Sequence, residues 1–303
     1  MSGFTHSILL YNAQAGPSTV DAMMSLAVPK LAAISKTLEL IKTDSPEEFE
    51  TVCRSSGERA DALFVAGGDG TVHLAARALA PIDNPPPLGI LPSGTCNDFA
   101  RTMGIPLFLD EAASSISQGN VQKVDTAIIN DGTFLNFAGI GLITDASFNI
   151  DPDLKERYGK LSYFMSAMQT MRQAEPFHVS LTVDGQDYEE EAVLVLVMNG
   201  KSIGTHLFPL QSIDPADGLL DVFIIQSSSF AAIREWFSLS NPELPSEGLE
   251  HIIHLQGKQI EIRTPSPMDI DTDGEIYMKT PASIHIQPGN LNLLVPNVDN
   301  AFV

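Results

Sequence analysis

A short apolar stretch that runs directly into a group of glycines constrains this chain most. Residues 61–66 (Asp-Ala-Leu-Phe-Val-Ala) have the length and composition of a strand buried on both faces. Gly67-Gly-Asp-Gly-Thr71 follows, and then apolar residues at helical spacing. Backbone N–H groups in such a strand–turn–helix unit approach anions closely, and the helix N-terminus adds favourable partial charge. The stretch predicts either a phosphate-binding turn or a tight turn in which Asp69 or Thr71 caps the helix.

Strands and helices alternate through residues 1–121. The strand patterns lie at residues 7–11, 38–43, 61–66 and 88–91. The helical patterns lie at residues 20–33, where Pro29 is expected to set a limit, and at residues 45–56, 70–80, 98–103 and 110–118. This order predicts an α/β domain of three layers with a parallel sheet. Ligands of such sheets bind at the carboxyl ends of the strands, where three turns would gather, at residues 12–16, 67–71 and 92–98.

The pattern changes at residue 122. Short alternating segments predict strands at residues 124–129, 134–137, 178–183, 191–198, 219–225, 259–263, 268–272 and 283–286. Asn130-Asp-Gly132 and Asp184-Gly185 predict hairpin turns, and helical patterns occur only near residues 153–173 and 229–239. Residues 122–288 are therefore expected to form a mostly antiparallel β-sandwich domain. The apolar strand at residues 291–296 is expected to return to the first domain, which then includes residues 289–303.

Composition limits the partners and the compartment. Seventeen basic against 38 acidic residues give a net charge of −21, which argues against nucleic acid and against purely electrostatic attachment to anionic membranes. No run approaches 18 apolar residues and the N-terminus lacks signal-peptide features, so no transmembrane segment is expected. Two cysteines without a CxxC motif indicate a reducing, cytoplasmic environment. His251 and His254 lie in an alternating segment that is more typical of a strand than of a metal site.

Three stretches together resemble one family. They are Gly67-Gly-Asp-Gly-Thr71, Leu91-Pro-Ser-Gly-Thr-Cys-Asn-Asp-Phe-Ala-Arg101 and Asp273-Gly-Glu275. In this order and spacing they resemble the catalytic family of diacylglycerol kinases, and within it the soluble bacterial lipid kinases; sphingosine and ceramide kinases share the core. The similarity spans nearly the whole chain. Gly-Gly-Asp-Gly alone is a weak signal, because NAD kinases share it.

The resemblance implies transfer of the γ-phosphoryl group of ATP to a lipid hydroxyl, with Mg²⁺. It implies a nucleotide site formed by Asn12, Ala13, Gln14, Ala15, Gly16, Thr43, Gly67, Gly68, Asp69, Gly70, Thr71, Val72, His73 and Thr95. Two features depart from the family. The loop at residues 12–16 lacks the hydroxyl residue that many relatives place before the glycine, and His73 stands where Asn is common.

The resemblance also assigns roles to acidic residues. Glu275 matches the general base, and its alternative is an ordinary acid of a hairpin turn. Asp69, Asp98 and Asp125 match the set that holds Mg²⁺ directly or through water. A carboxylate repels phosphate unless it holds a metal ion or positions a donor group. The alternatives are a helix N-cap for Asp98 and a solvated strand end for Asp125.

A second Mg²⁺ site is implied by the loop at residues 214–219. There Asp217 would supply a carboxylate and Asp214 and Leu219 would supply carbonyl groups, unless the loop is simply an Asp-Gly turn. Candidates for an apolar lipid-binding surface are Ile140, Leu142, Phe148, Tyr163, Phe164 and Met168, although helical spacing of the kind seen at Tyr163 and Met168 more often reflects core packing. A basic patch that either faces a membrane or forms an exposed loop comprises Lys155, Arg157 and Lys160.

The resemblance implies a cytoplasmic enzyme that meets its lipid substrate transiently at a membrane surface. Diacylglycerol, phosphatidylglycerol and a long-chain base all fit the residues, and the oligomeric state stays open, with a homodimer as one candidate. Two rival functions differ in class. The first is an NAD kinase-like enzyme that phosphorylates a soluble hydroxyl compound, and the second is a catalytically silent lipid-binding regulator.

Overall fold

The structure, a computed structural model, describes residues 3–12, 17–141, 175–204, 206–207, 213–227 and 250–297. The chain divides into two compact units. The first comprises Met1–Thr126 and Pro288–Val303, and the second comprises Ala127–Gln287. The helices predicted near residues 153–173 and 229–239 lie outside the described residues.

The described elements follow one another in an order that differs between the two units. Up to the unit boundary they are β1 (Phe4–Asn12), α1 (Pro17–Ala22), a π-helical segment (Met23–Ala27), α2 (Val28–Ala33), β2 (Ser35–Thr43), α3 (Pro46–Gly57), β3 (Ala62–Gly67), α4 (Asp69–Leu79), β4 (Leu88–Pro92), α5 (Asp98–Thr102), α6 (Leu109–Gln118) and β5 (Asn120–Ile129). The remaining strands are β6 (Gly132–Phe134), β7 (Phe137–Gly141), β8 (Phe177–Val183), β9 (Gln186–Ala192), β10 (Leu194–Met198), β11 (Ser202–Ile203), β12 (His206–Leu207), β13 (Leu220–Ile225), β14 (Ile252–Gly257), β15 (Gln259–Arg263), β16 (Asp269–Thr272), β17 (Glu275–Lys279) and β18 (Ala282–Val295).

The first unit contains a parallel sheet in the order β2-β1-β3-β4. Both β3 and β4 are buried along their whole length, as their continuous apolar sequences predict. The C-terminal part of β18 adds to this sheet, since Leu293 pairs in parallel with Leu88. The chain passes from β1 out to β2 and then back past β1 to β3. Right-handed crossovers therefore place α2 on one face and α3 and α4 on the other.

This reversal of direction has a functional consequence. Between β1 and β3 the connections leave on opposite sides of the sheet, which leaves a crevice at the carboxyl ends of the two strands. Asn12 ends β1 and Gly67 ends β3. The fold thus places the glycine turn at the position where open α/β sheets bind their ligands.

Local sequence explains how two of the helices begin. Ser45 is the N-cap residue of α3, and its hydroxyl accepts a hydrogen bond from the Glu48 N–H at 3.1 Å. Pro29, expected to limit the first helical region, instead occupies the first turn of α2. Because the residues before it are also helical, the missing N–H of Pro29 leaves a gap in the hydrogen bonding at this junction. The preceding turn widens to a π-helix, in which the Val28 N–H donates to the Met23 carbonyl.

The second unit is a sandwich of two antiparallel sheets. One sheet has the order β14-β13-β10-β7-β16-β17, and the other contains β15, β8 and β9 with the N-terminal part of β18. Apolar residues of both sheets form one buried core, among them Ile140, Val195, Val222, Leu181 and Ile260. The parallel α/β sheet of the first unit and this antiparallel second unit confirm the predicted fold class.

Two predicted strands are each divided in the structure. The prediction at residues 191–198 covers the end of β9 and all of β10, which belong to different sheets. Val193 makes the switch, and its N–H donates to the Ile225 carbonyl. The prediction at residues 134–137 covers the end of β6 and the start of β7, with Leu135 and Asn136 between them. Residues 192–198 form one continuous apolar run, and residues 134–137 are apolar except for Asn136, so periodicity does not reveal either break.

Candidate active site

Two turns of the first unit are packed against each other without intervening side chains. The first, at residues 67–71, joins β3 to α4, and the second, at residues 93–97, joins β4 to α5. The Ser93 N–H donates to the Gly67 carbonyl at 3.0 Å. A Cβ atom on Gly68 would lie 2.9 Å from the Gly94 Cα atom, and a Cβ atom on Gly94 would lie 2.5 Å from the Gly68 Cα atom. Glycine is therefore required on both sides of this contact.

The carboxylate of Asp69 joins the two turns. Its Oδ2 atom accepts a hydrogen bond from the Asn97 N–H at 2.8 Å, and its Oδ1 atom accepts one from the Asp98 N–H at 2.6 Å. The N-cap residue of α4 is Gly68, so the alternative in which Asp69 or Thr71 caps this helix is wrong. Instead, the Asp69 carboxylate accepts hydrogen bonds from two N–H groups at the start of α5. A carboxylate beside a phosphate site is expected either to bind a metal ion or to position donor groups. This bidentate contact shows that Asp69 positions donor groups.

Asn97 closes the second turn, and the sequence did not single it out as a site residue. Its φ angle is 53°, in the left-handed region that Asn tolerates better than most residues. Its Oδ1 atom accepts the Gly94 N–H at 3.0 Å and its Nδ2 atom donates to the Gly94 carbonyl at 2.9 Å. The signal that identifies it is an Asn placed three residues after a glycine in a strand-to-helix turn.

Acidic groups meet where the two turns touch. One ligand atom from each of Asp69, Cys96 and Asp98 lies within 4.8 Å of the others. Asp98 is only 7% exposed and is the first residue of α5, whose N-cap is Asn97, so the N-cap alternative for Asp98 is wrong. Mg²⁺ is usually held by one or two carboxylates together with phosphate oxygens and water. Asp69 and Asp98 fit this donor set, whereas a thiol is a poor ligand for Mg²⁺.

Asp125 does not belong to that group. It lies on β5 with 1% of its surface exposed, and its Oδ1 atom accepts a hydrogen bond from the Gly289 N–H at 2.6 Å. Gly289 has a φ angle of 58° within β18. Burial also rules out the alternative of a solvated strand end for Asp125. The contact shows that Asp125 holds an irregular point of β18 in place.

The other predicted nucleotide-binding residues lie around the same strand ends, as far as they are described. Asn12 and Thr43 face each other at the ends of β1 and β2, and the Thr43 hydroxyl donates to the Tyr11 carbonyl at 3.4 Å. Thr71 folds back so closely over Gly67 that no Cβ atom fits there. The sequence-predicted residues that complete this set are Gly70, which is half-buried, Val72 and His73, which are buried on α4, and Thr95, which is exposed. Ala13, Gln14, Ala15 and Gly16 lie outside the described residues.

Glu275 begins β17 in the second unit and is exposed. It follows the turn Asp273-Gly274, which joins β16 to β17. The Asp273 carboxylate accepts hydrogen bonds from three backbone N–H groups, those of Leu135, Asn136 and Phe137. The sequence prediction named Glu275 and missed Asp273. An Asp before Gly indicates a turn, but nothing nearby in the sequence indicates that the carboxylate binds residues more than 130 positions away.

Comparison with known proteins now decides the family. The family profile of the diacylglycerol kinase catalytic domain matches residues 6–129. The profile of the YegS C-terminal NAD kinase beta sandwich-like domain matches residues 141–295. The chain belongs to the diacylglycerol kinase-like lipid kinases. This confirms the resemblance that the three sequence stretches carried.

Relatives of this lipid kinase family match over nearly the full length. A protein of Staphylococcus aureus strain MSSA476, provisionally named a lipid kinase, is 32% identical over 299 residues, which are 97% of this chain and 98% of that protein. A Bacillus anthracis strain Sterne crystal structure, provisionally described as a diacylglycerol kinase, has 36% identity and a TM-score of 0.87 and covers 99% of both chains. A second structure from that strain, described as a diacylglycerol kinase, has 34% identity, a TM-score of 0.85 and the same coverage.

The second predicted metal loop, at residues 214–219, is a turn of the second unit. The Asp214 carboxylate accepts the Ala216 N–H at 3.1 Å, and the Asp217 carboxylate accepts the Leu219 N–H at 2.9 Å. The Asp214 carbonyl accepts the Asp217 N–H at 3.3 Å. Both aspartates are exposed.

The remaining predictions divide by what is described. Ile140 packs into the sandwich core. The other five apolar candidates and the three basic ones lie outside the described residues.

His254 lies on β14, stacks on Phe223 with ring centroids 4.5 Å apart, and contacts the Asp221 carboxylate at 2.6 Å. The strand predicted there is confirmed for His254, whereas His251 lies just before β14. Within the described part of the chain, no helix is long and apolar enough to cross a membrane.

Proposed function

We propose that this protein transfers the γ-phosphoryl group of ATP to the hydroxyl group of a lipid, diacylglycerol or a close relative. One observation carries the proposal. Asp69 joins two glycine-containing turns at the carboxyl ends of β3 and β4, in a chain that belongs to a lipid kinase family. A carboxylate that fixes backbone N–H groups beside a helix N-terminus is suited to a phosphate-binding site that also takes a divalent cation.

The nucleotide phosphates are proposed to bind at the N-terminus of α4. There the N–H groups of residues 68–71 point out of the helix, and the eleven-residue α4 adds favourable partial charge. Asn12, Thr43 and Thr95 extend the proposed site along the strand ends, together with residues 13–16. The contact between Gly68 and Gly94 keeps side chains out of the space where a phosphate approaches the backbone.

Asp69 and Asp98 are proposed to hold Mg²⁺, with Asp125 acting through water. The ion, when bound, supplies positive charge that offsets the charge of the phosphates. A second Mg²⁺ is proposed at the loop of Asp214, Asp217 and Leu219, where one carboxylate and two carbonyl groups are available. This second site would stabilise the turn rather than act on phosphate.

Glu275 is proposed as the general base. Its carboxylate takes the proton of the lipid hydroxyl while the hydroxyl oxygen forms its bond to the γ-phosphorus atom and the bond from that phosphorus to the bridging oxygen of ADP breaks. Exposure of Glu275 favours this role, since a base must be within reach of an incoming substrate. Because the acceptor is a lipid, the reaction is placed at a membrane surface.

The test is transfer of label from [γ-³²P]ATP to a panel of diacylglycerol, phosphatidylglycerol and sphingosine in mixed micelles, with NAD⁺ in parallel. We expect label in at least one lipid in the presence of Mg²⁺, and none in EDTA. Label in NADP⁺ and in no lipid would favour the kinase of a soluble hydroxyl compound. No label in any acceptor, from protein that binds ATP, would favour the silent lipid-binding regulator.

A further inference from the structure

The second unit contains two Asp-Gly hairpin turns that are built in the same way. Asp184-Gly185 joins β8 to β9, and Asp273-Gly274 joins β16 to β17. The φ angles are 48° and 84° in the first turn and 54° and 96° in the second. Two consecutive residues with positive φ are the mark of the tight hairpin turn that Asp-Gly favours. The chain therefore provides its own matched pair, in which only one turn leads into Glu275.

Both aspartates also bind the backbone of a neighbouring segment. The Asp184 carboxylate accepts the N–H groups of Lys258 and Gln259 at 2.8–3.1 Å. The Asp273 carboxylate accepts the Leu135 and Asn136 N–H groups at 2.8 Å and the Phe137 N–H at 3.1 Å. Hydrogen bonds to an ionised acceptor are roughly twice as strong as neutral ones. In each case the turn is fixed to the body of the unit by its own aspartate.

The position of Glu275 depends on this attachment as well as on sheet pairing. β17 is the last strand of its sheet among the described strands, so β16 alone pairs with it there. The register shifts between Ile270 and Asp271, and Glu275 pairs with Thr272 beyond that irregularity. Bulges of this kind redirect side chains and weaken the ladder locally. The first residue of such a strand is therefore located by the turn that precedes it.

Two further contacts act within the turn rather than outside it. The Gly274 N–H donates to the Asp271 carboxylate at 2.7 Å, and the Thr272 hydroxyl donates to the Glu275 carbonyl at 3.3 Å. These bonds fix the shape of the turn but not its place. The three bonds to the Asp273 carboxylate fix its place, together with the Asp273 N–H, which donates to the Phe137 carbonyl at 3.1 Å.

The segment that receives Asp273 is itself rigid. Asn136 is buried, and its carbonyl accepts the N–H groups of Asn199 at 2.8 Å and Gly200 at 2.9 Å. The Nδ2 atom of Asn199 donates to the Leu135 carbonyl at 2.7 Å. Gly200 packs so closely on the Asn136 side chain that a Cβ atom would collide with it. Because this segment is itself held by several hydrogen bonds, it gives the turn a fixed point of attachment.

We infer that Asp273 is a positioning residue that sets the place of the Glu275 carboxylate for proton transfer. The inference rests on the proposed role of Glu275 as general base. Misplacement of a reacting group by about 1 Å costs on the order of a hundredfold in rate. Loss of Asp273 should therefore lower kcat strongly and leave the KM for ATP unchanged, because the nucleotide is proposed to bind in the first unit.

The experiment compares the two turns through the same substitutions. Asp273→Asn and Asp184→Asn each keep one acceptor oxygen, and Asp273→Gly and Asp184→Gly remove both while glycine still accepts the positive φ. With [γ-³²P]ATP and the lipid of the panel that is labelled fastest, we expect kcat to fall about 10-fold for Asp273→Asn and about 100-fold for Asp273→Gly. Both Asp184 variants should keep kcat within about twofold while losing similar stability to urea. Equal kcat losses at both turns would show that Asp273 is merely structural.

A double variant separates this inference from the proposed function. If Asp273 acts through Glu275, Asp273→Asn should cost almost nothing further in a Glu275→Gln background. If Asp273→Asn lowers kcat by the same factor in the wild-type and the Glu275→Gln backgrounds, the positioning role is overturned, while Glu275 remains the base. Full activity of Glu275→Gln alone would remove the base itself, and the inference with it. Folding of every variant is checked by circular dichroism and by ATP affinity, which the inference expects to be unchanged.

Discussion

Replacement of Asp69 by Asn perturbs the contact between the two turns of the first unit with little change of volume. The variant keeps one acceptor oxygen, so either the Asn97 N–H or the Asp98 N–H loses a charged acceptor that lies 2.8 or 2.6 Å away. A hydrogen bond to a charged group contributes about 1.5–3 kcal/mol. We expect the free energy of unfolding to fall by about that amount, measured by urea titration in EDTA so that no metal ion contributes.

Asp61 provides the matched control at the other end of β3. One oxygen of its exposed carboxylate accepts the Thr5 and His6 N–H groups at 3.0 and 2.9 Å. Because the amide oxygen of Asn can replace that atom, Asp61→Asn should cost less than about 1 kcal/mol. By isothermal titration calorimetry in EDTA, Asp69→Asn should weaken ATP binding by about tenfold or more, which is about 1.4 kcal/mol, and Asp61→Asn should leave it unchanged.

The refuting result is simple to recognise. If Asp69→Asn and Asp61→Asn have the same stability and the same ATP affinity in EDTA, the Asp69 hydrogen bonds do not hold the two turns. If Asp69→Asn loses ATP affinity only when Mg²⁺ is present, the effect comes from the proposed metal-ligand role alone, and the hydrogen bonds between the turns contribute nothing to nucleotide binding.

Three further predictions follow from single contacts. Gly68→Ala places a Cβ atom 2.9 Å from the Gly94 Cα atom, so it should cost about 1–3 kcal/mol in urea unfolding and weaken ATP binding; wild-type values would contradict the close contact. Burial raises the pKa of the Cys53 thiol to about 12, so iodoacetamide at about pH 8 should modify it only in unfolded protein, as mass spectrometry would show; labelling of native protein would oppose this. A hydrogen bond from Arg59 holds the pKa of the Glu39 carboxyl below its ordinary value of 4.5, so this exposed pair stabilises the fold above that pH and its contribution is lost as the pH falls through the lowered pKa. Arg59→Ala should therefore cost at most about 1 kcal/mol at pH 7 and progressively less as the pH falls through the lowered pKa of Glu39, and a larger loss in acid would contradict the sign.

The sequence predicted those features whose cause is local. The apolar run before Gly67 is long enough for one buried strand, and the glycines end it, so β3 and the start of α4 were predicted within one or two residues. The start of α3 was predicted within one residue for the same reason, since the partner of its N-cap Ser45 lies three residues away.

Features that depend on distant partners were not predictable. Asp69 binds N–H groups 28 and 29 residues further on, and Asp273 binds N–H groups 136 to 138 residues earlier. No period or turn signal carries that information. The switch of sheets at Val193 has the same origin, because both β9 and β10 have ordinary strand sequences and only their partners differ.

One measurement tests the central claim most directly, namely that a nucleotide site built around Asp69 and a base at Glu275 perform lipid phosphorylation. Wild type, Asp69→Asn and Glu275→Gln are compared for ATP affinity and for transfer of label from [γ-³²P]ATP to the lipid panel. We predict that Glu275→Gln binds ATP as the wild type does and transfers about 10²–10⁴-fold more slowly, whereas Asp69→Asn loses ATP affinity. Unchanged transfer by Glu275→Gln, or no labelled lipid with the wild type, would contradict the claim.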